Sequence, residues 1–139
     1  MRSQPSSTIP GVAQTFRFAI AVVLLAAPVL AHHTVAYIYD PAQNLTLTGV
    51  VNEVDWKQPH VVVRLDVKSA DGAVVRWDVE AQAPPGLLRH GIQQDTFKPG
   101  STISSTVCVA RDGSHKGWAR NFVIAGATFD NVRCEPPPQ

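Results

Sequence analysis

The stretch that decides the fold is HVVVRLDVKSADGAVVRWDVEA, residues 60–81. It contains two runs in which apolar and polar side chains alternate, on either side of the sequence Ala-Asp-Gly at 70–72. This alternation predicts two half-buried β-strands, and the glycine predicts a tight turn between them. The sequence therefore predicts a β-hairpin near the middle of the chain.

Opposite residues in an antiparallel hairpin lie on the same face of the sheet, and this condition selects the register. A two-residue turn at 71–72 places Val67 opposite Arg76 and so pairs an apolar with a charged side chain. A three-residue turn with Gly72 in the left-handed conformation avoids this mismatch. It predicts two core pairs, Leu65–Trp77 and Val63–Val79, and two charge pairs, Asp66–Arg76 and Arg64–Asp78. The carboxylates at 78 and 80 are accordingly interpreted as part of a solvated charge ladder.

Three more strands and a short helix flank the hairpin. Residues 45–56 predict a strand whose alternation shifts phase at Gly49, and such a shift indicates a β-bulge at that glycine. Residues 84–91 predict a helix of about two turns that ends at Gly91. Residues 102–110 predict a fourth strand.

A fifth strand is predicted at 118–125, with Trp118, Phe122 and Ile124 on one face. The resulting order is β-β-β-α-β-β. This order, together with a curved first strand, indicates a mainly β domain with a small five-stranded OB-fold-like barrel. A fragment of a β-sandwich is the alternative.

The first 31 residues have the features of a secretory signal. Arg2 and Arg17 precede an uncharged apolar run at 18–30, and Ala31 supplies a small side chain for cleavage. The run is shorter than the roughly 20 residues that span a bilayer, so we expect no stable membrane span after cleavage. We expect the mature protein to be periplasmic or secreted.

These features predict a division of the chain into four parts. Residues 1–31 are a cleavable leader, 32–44 an irregular N-terminal arm, 45–126 the barrel, and 127–139 a C-terminal tail. The formal net charge is +1 and both leader arginines count toward it, so the mature domain is close to neutral. Nucleic-acid binding normally requires a basic face and is not expected here.

Two cysteines, Cys108 and Cys134, lie in the exported part of the chain. Paired cysteines in an exported domain most often form a structural disulfide, and we predict one here. The sequence has no nucleophile with a flanking catalytic motif, no phosphate-binding glycine loop and no HExxH zinc motif. We therefore predict a protein that is not an enzyme.

Histidines supply the most specific chemical hypothesis. Cleavage after residue 31 gives His32 a free α-amine, which forms a chelate ring with its own imidazole. A further imidazole, from His33 or from His60, completes a nitrogen set of the kind that copper(II) prefers. Zinc is a weaker candidate, and the alternative that these are ordinary exposed residues remains open. His90 is interpreted as a helix cap and His115 as an exposed loop residue.

Two other functions remain open. One is an interaction module that binds a glycan, a peptide or a protein partner through exposed aromatic side chains, for which the candidates are Tyr37, Tyr39 and Trp56. The other is an accessory protein of an envelope complex that binds no small ligand. The ligand and the oligomeric state are not determined by the sequence.

Several short motifs resemble a family of uncharacterised exported bacterial proteins. They are the start Ala31-His32-His33-Thr34, the segments Leu47-Thr48-Gly49 and Val54-Asp55-Trp56, and Gln58-Pro59-His60. Members of that family typically have an AHHS start, followed by an LTGTV segment and a W-x-N-P-H motif. This chain differs in having Thr34 where serine is usual and Gln58 where asparagine is usual. The resemblance implies export and a small barrel, but it does not indicate which activity the protein has.

Overall fold

The computed structural model describes residues 34–131 and Cys134. Most of the described chain is β-sheet, with two short helices. In chain order they are α1 (Thr34–Ile38), β1 (Tyr39–Asp55), β2 (Val61–Lys68), β3 (Val74–Ala81), α2 (Pro84–Arg89), a 3-10 turn (Gln94–Thr96), β4 (Thr102–Ala110), β5 (Lys116–Ala119), β6 (Asn121–Ile124) and β7 (Ala127–Asp130). The mainly β prediction is confirmed, with seven strands in place of five.

The β2–β3 hairpin has the predicted register. All four predicted pairs are observed across the two strands, the apolar ones on the core side. The backbone N–H of Ser69 donates to the carbonyl of Ala73 at 2.8 Å, which closes the three-residue turn. Gly72 has a φ of +88°. Side-chain volume and charge therefore set this register together, because any shift by one residue moves an arginine into the core.

The strands form one sheet in the order β1-β2-β3-β5-β4-β6-β7, and β1 also pairs with β4. The first five strands of this order therefore form a partial ring of pairings. β3 and β5 run parallel, whereas the other neighbours are antiparallel. The main core lies inside this ring, where Phe97 packs edge-on against Phe122 with ring centroids 4.9 Å apart. Its other fully buried members include Leu47, Val51, Val61, Val63, Leu65, Val79, Leu87, Ile92, Ile103 and Val107.

The bulge in β1 does not lie at Gly49, where the sequence predicted it. The register with β2 shifts between Val51 and Glu53, so the extra residue is Asn52. Gly49 serves a different purpose, because a Cβ atom there would lie only 2.8 Å from the carbonyl oxygen of Asp66. The glycine allows β1 and β2 to approach each other closely, and the strand bends three residues later.

The predicted fifth strand consists of two strands, β5 and β6, which are separated at Arg120. The backbone N–H of Arg120 donates to Thr106 at 2.7 Å, and the interruption shifts the phase of the alternation. As a result Phe122 is in the main core whereas Trp118 lies in a second cluster, so the prediction that they share a face is wrong. β7 then follows a turn at 125–126 in which both residues have positive φ, within the segment predicted to be tail.

The second cluster buries Tyr39, Cys108, Ala110, Trp118 and Cys134, and Val35 packs against it. It is built where the predicted irregular arm contains a short helix and the beginning of β1. The reason is local packing, since the start of β1 pairs with the end of β4. The arm is therefore part of the domain from residue 34 onward.

The predicted disulfide is absent, because Cys108 and Cys134 are both free, buried thiols. Burial, and then the hydrogen bond between the two thiols, raises the pKa of Cys134 to about 12. Nε of Arg120 donates to Sγ of Cys108 at 3.4 Å. The two thiols are therefore neighbours in the second cluster, in the reduced form.

Candidate functional site

His60 lies directly before β2, at the end of the loop that follows β1. Its Nδ1 atom is 3.2 Å from Oε2 of Glu80, and the two side chains are about one-third and one-quarter exposed, at 33% and 24%. Glu80 is opposite Val62 in the hairpin register, two residues beyond His60 and on the same face. The alternation of β2 therefore brings the imidazole and the carboxylate together at the end of the hairpin.

Aromatic rings form one side of this pair. The imidazole of His60 contacts the indole of Trp118 edge-on, with centroids 4.9 Å apart and planes at 79°. Tyr39 lies beyond, with its ring centroid 6.2 Å from that of Trp118. Trp118 is opposite Glu80 across the parallel β3–β5 pairing, so the two strands align the components of the site.

Tyr39 is 1% exposed, and its hydroxyl has no well-formed hydrogen bond within the part of the chain that the structure describes. Burial, and then hydrogen bonding to Glu80, raises the pKa of Tyr39 well above its usual value. The interaction with Glu80 is not a well-aligned hydrogen bond, so it offsets the desolvation of the hydroxyl only in part. The site therefore holds a neutral phenol next to the Glu80 carboxylate.

The predicted metal ligands are only partly described. His60 is in the site, whereas His32 and His33 lie outside the described residues, as does the predicted leader. Within residues 34–131 and Cys134, no three histidine, cysteine or acidic side chains come close enough together to hold a metal ion. His60 and Glu80 thus provide two neighbouring donor groups.

The three residues of the predicted aromatic face differ in their exposure. Tyr37 is 75% exposed, Tyr39 is buried in the second cluster, and Trp56 packs against the main core with part of its ring exposed. His90 ends α2, where its backbone N–H donates to Leu87 and Leu88. His115 is exposed and lies against Trp77, with ring centroids 5.2 Å apart.

Glu80 does not belong to the charge ladder that the sequence predicts for it and Asp78. That assignment is right for Asp78, whose Oδ1 is 3.6 Å from Nε of Arg64. Glu80 has a histidine as its neighbour instead. The signal was present in the alternation of β2, because a residue two positions before Val62 shares its face.

Comparison with known families identifies an uncharacterised domain in this chain. A model of a family of unknown function, DUF6152, matches residues 20–120. This chain belongs to that family. The matched range of the DUF6152 chain includes His60, Glu80 and Trp118, and it ends before β6 and Cys134. No curated protein and no solved structure matches the chain.

Two openings lie elsewhere on this DUF6152 domain. A groove of about 620 Å³ runs beside the bulge in β1, between Glu53 and Lys98. A more polar cleft of about 370 Å³ lies between the start of β1 and the β4–β5 loop, with Trp77 in its wall. Neither helix in the described part of the chain has the length and apolar character needed to cross a bilayer.

Proposed function

We propose that the protein is an exported, non-catalytic binding domain with an OB-like barrel and that its ligand is copper(II). The order of strand pairings supports the barrel. β1 pairs with both β2 and β4, β3 runs parallel to β5, and α2 lies between β3 and β4. This connectivity supports a five-stranded OB-like barrel to which β6 and β7 add a hairpin.

The observation that carries the copper proposal is the contact between His60 and Glu80. Metal-binding histidines typically donate one ring N–H to a carboxylate, which orients the ring and makes the other nitrogen a better ligand. With Nδ1 directed at Oε2 of Glu80 at 3.2 Å, Nε2 is the nitrogen that binds the metal. Partial exposure of His60 leaves the ring accessible.

The remaining ligands come from the mature N-terminus. Signal cleavage after Ala31 frees the α-amine of His32, which chelates together with an imidazole of His32 or His33. Val35 packs against the second cluster, whose Trp118 contacts His60. Only two residues separate Val35 from His32, so the three residue steps between them span at most about 10 Å.

The nature of the donor set favours copper(II) over zinc. An amine with two or three imidazoles provides nitrogen donors for a tetragonal site, which copper(II) prefers, whereas structural zinc usually takes four tetrahedral ligands. The hydroxyl of Tyr39 beside Glu80 fits as a hydrogen-bonding group for a bound water or ligand. These residues would hold the ion.

The test begins with protein that is expressed with its own leader and purified from the periplasm. Intact mass is expected to show a mature chain starting at His32. Addition of one equivalent of copper(II) is expected to produce a visible absorption band that the His32→Ala, His33→Ala variant lacks and that His60→Ala weakens and shifts. His115→Ala, which changes a distant exposed histidine, is the matched control and is expected to behave as wild type.

Three outcomes contradict the proposal. They are a mature chain that retains its leader or begins beyond His33, a spectrum unchanged by the metal, and equal binding by wild type and the His32→Ala, His33→Ala variant.

An interaction module is the second candidate function. The cleft beside Trp77 favours it, because this opening combines an aromatic surface with polar side chains. Tyr39 does not, since it is buried.

A further inference from the structure

We propose that the cleft between the start of β1 and the β4–β5 loop binds a neutral saccharide. The proposal goes beyond copper binding and uses none of the residues of that site. The cleft has a volume of about 370 Å³. This value is in the lower part of the roughly 300–1,000 Å³ range of small-molecule sites, which suits one or two sugar rings.

The apolar wall of the cleft is the indole of Trp77, with Val109 and Ala110 beside it. Trp77 is half-buried, because one part of its ring packs against the main core and another part lies against His115. The ring is therefore held in place before any ligand arrives. A fixed indole surface suits the C–H face of a pyranose, which is apolar while the rim of the sugar is polar.

The polar wall consists of planar side chains that are already oriented. Oδ2 of Asp40 accepts from Nε2 of Gln43 at 3.2 Å and lies 3.6 Å from Nη1 of Arg111. Nε of Arg111 in turn donates to the carbonyl of Ala36 at 3.2 Å. Carboxylate, amide and guanidinium groups each offer two coplanar hydrogen-bonding atoms, which match adjacent hydroxyls of a sugar.

The loop between β4 and β5 closes the cleft and is itself braced. Oδ1 of Asp112 accepts hydrogen bonds from the backbone N–H of Ser114 at 2.9 Å and from its hydroxyl at 2.6 Å. These bonds lower the pKa of Asp112. The backbone N–H of Arg111 donates to Ile38 at 2.9 Å, which ties the loop to the N-terminal segment. A rigid rim reduces the entropy lost on binding.

Charge balance selects the class of ligand. Among the residues that line the cleft, Asp40 and Arg111 are the charged ones, and they lie against each other. Their opposite charges offset, so neither an anion nor a cation gains a net attraction. A neutral ligand with many hydroxyl groups fits this lining better than a phosphate or a carboxylate. In OB-folds the loop between the fourth and fifth strands also contributes to oligosaccharide binding, and the β4–β5 loop lines this cleft.

The test uses the processed, metal-free protein and three neutral sugars, N-acetylglucosamine, its β-1,4-linked disaccharide and maltose. Calorimetry and intrinsic tryptophan fluorescence are expected to detect binding of at least one of them. Trp77→Ala is expected to weaken that binding by about tenfold, and Gln43→Ala by a smaller factor. Trp56→Phe is the matched control, because it alters a half-buried indole outside the cleft and is expected to bind as wild type.

Trp77→Phe separates binding from folding, since it preserves an aromatic ring in the core contact. It is expected to retain the wild-type fold by circular dichroism and to bind the sugar less tightly. The proposal is overturned by any of four results. The first two are no binding of the three sugars at tens of millimolar, and Trp77 variants that bind as tightly as wild type. The other two are loss of binding in Trp56→Phe alone, and binding of glucuronate as tight as that of the neutral sugars.

Discussion

The Nδ1 atom of His60 lies 3.2 Å from Oε2 of Glu80, at the end of the β2–β3 hairpin. This contact joins the end of a loop to a strand whose other carboxylate, Asp78, belongs to the charge ladder. It fixes a partly exposed imidazole between the Glu80 carboxylate and the indole of Trp118. The candidate site therefore depends on this contact more than on any other.

Glu80→Gln removes the charge that orients His60 and keeps the size of the side chain. We expect it to lower the affinity of the processed protein for copper(II) by about 10- to 100-fold, because a carboxylate that accepts the ring N–H makes the other nitrogen a stronger ligand. Competition against a chelator of known affinity measures the change. Asp78→Asn, two residues earlier on β3, is the control and should leave the affinity near that of wild type. Equal affinities for wild type and Glu80→Gln would show that the carboxylate has no part in binding.

Tyr39→Phe removes a buried hydroxyl that lacks a well-formed partner within the described residues. We expect the variant to be more stable than wild type by about 1 kcal/mol in urea unfolding of the metal-free protein. Tyr37→Phe, at a 75% exposed position, should change stability little. A loss of stability in Tyr39→Phe would show that the hydroxyl makes a stabilising hydrogen bond.

The pH dependence of the same pair of variants provides a separate check. The folded-state pKa of Tyr39 is raised above that of the unfolded chain, so stability from the neutral phenol is complete below about pH 10 and is lost as the pH rises beyond it. Tyr39→Phe should therefore lose less stability than wild type between pH 9 and pH 11, values chosen to span the unfolded pKa of about 10. Parallel curves for the two proteins would contradict this assignment.

Gly49→Ala tests the close approach of β1 and β2. The added methyl group would lie 2.8 Å from a backbone oxygen of Asp66 that cannot move aside alone. We expect a destabilisation of about 1–3 kcal/mol, as for other overpacking changes. Val50→Ala, next along the strand and 41% exposed, should cost much less. Chemical denaturation measures both, and similar losses would refute the steric explanation.

The two cysteine thiols provide a further prediction. The pKa of Cys134 is raised to about 12, chiefly by burial, so almost none of it is thiolate at pH 8. We expect the folded, reduced protein to react with a maleimide far more slowly than the same protein in denaturant. Labelling followed by mass spectrometry measures both rates. Rapid labelling of Cys134 in the folded state would contradict the burial of this cluster.

The hairpin register could be predicted from the sequence because charge and hydrophobicity agree at every pair. Only one register places Leu65 opposite Trp77 while Asp66 meets Arg76. The helix α2 was also predictable, since Pro84 begins it and Gly91 follows with a φ of +78°. In both segments, neighbouring residues alone decide the conformation.

The predictions that are wrong concern positions whose conformation depends on residues far away in the sequence. Gly49 has the appearance of a bulge in the sequence, but its role is set by Asp66 on another strand. The interruption at Arg120 is invisible in the alternation, and it reverses the side on which Trp118 lies relative to Phe122. The positive φ of Ala125, which permits the β6–β7 turn, is uncommon for alanine and carries no sequence signal.

In the candidate site, too, local features could be predicted from the sequence and long-range contacts could not. His60 was predictable as a chemically notable residue, because its position after Pro59 places it at the start of a strand. Its partnership with Glu80 required the register, and the wall formed by Trp118 required the parallel pairing of β3 with β5. Long-range sheet topology is difficult to derive from local patterns, so these two contacts could not be predicted.

Electron paramagnetic resonance of the processed protein with one equivalent of copper(II) tests the central claim most directly. The account predicts a single tetragonal signal with coupling to several nitrogen nuclei, and it predicts that His60→Ala removes one of those couplings while His115→Ala does not. A spectrum identical to that of copper(II) in buffer, or identical signals from wild type and His60→Ala, would contradict it.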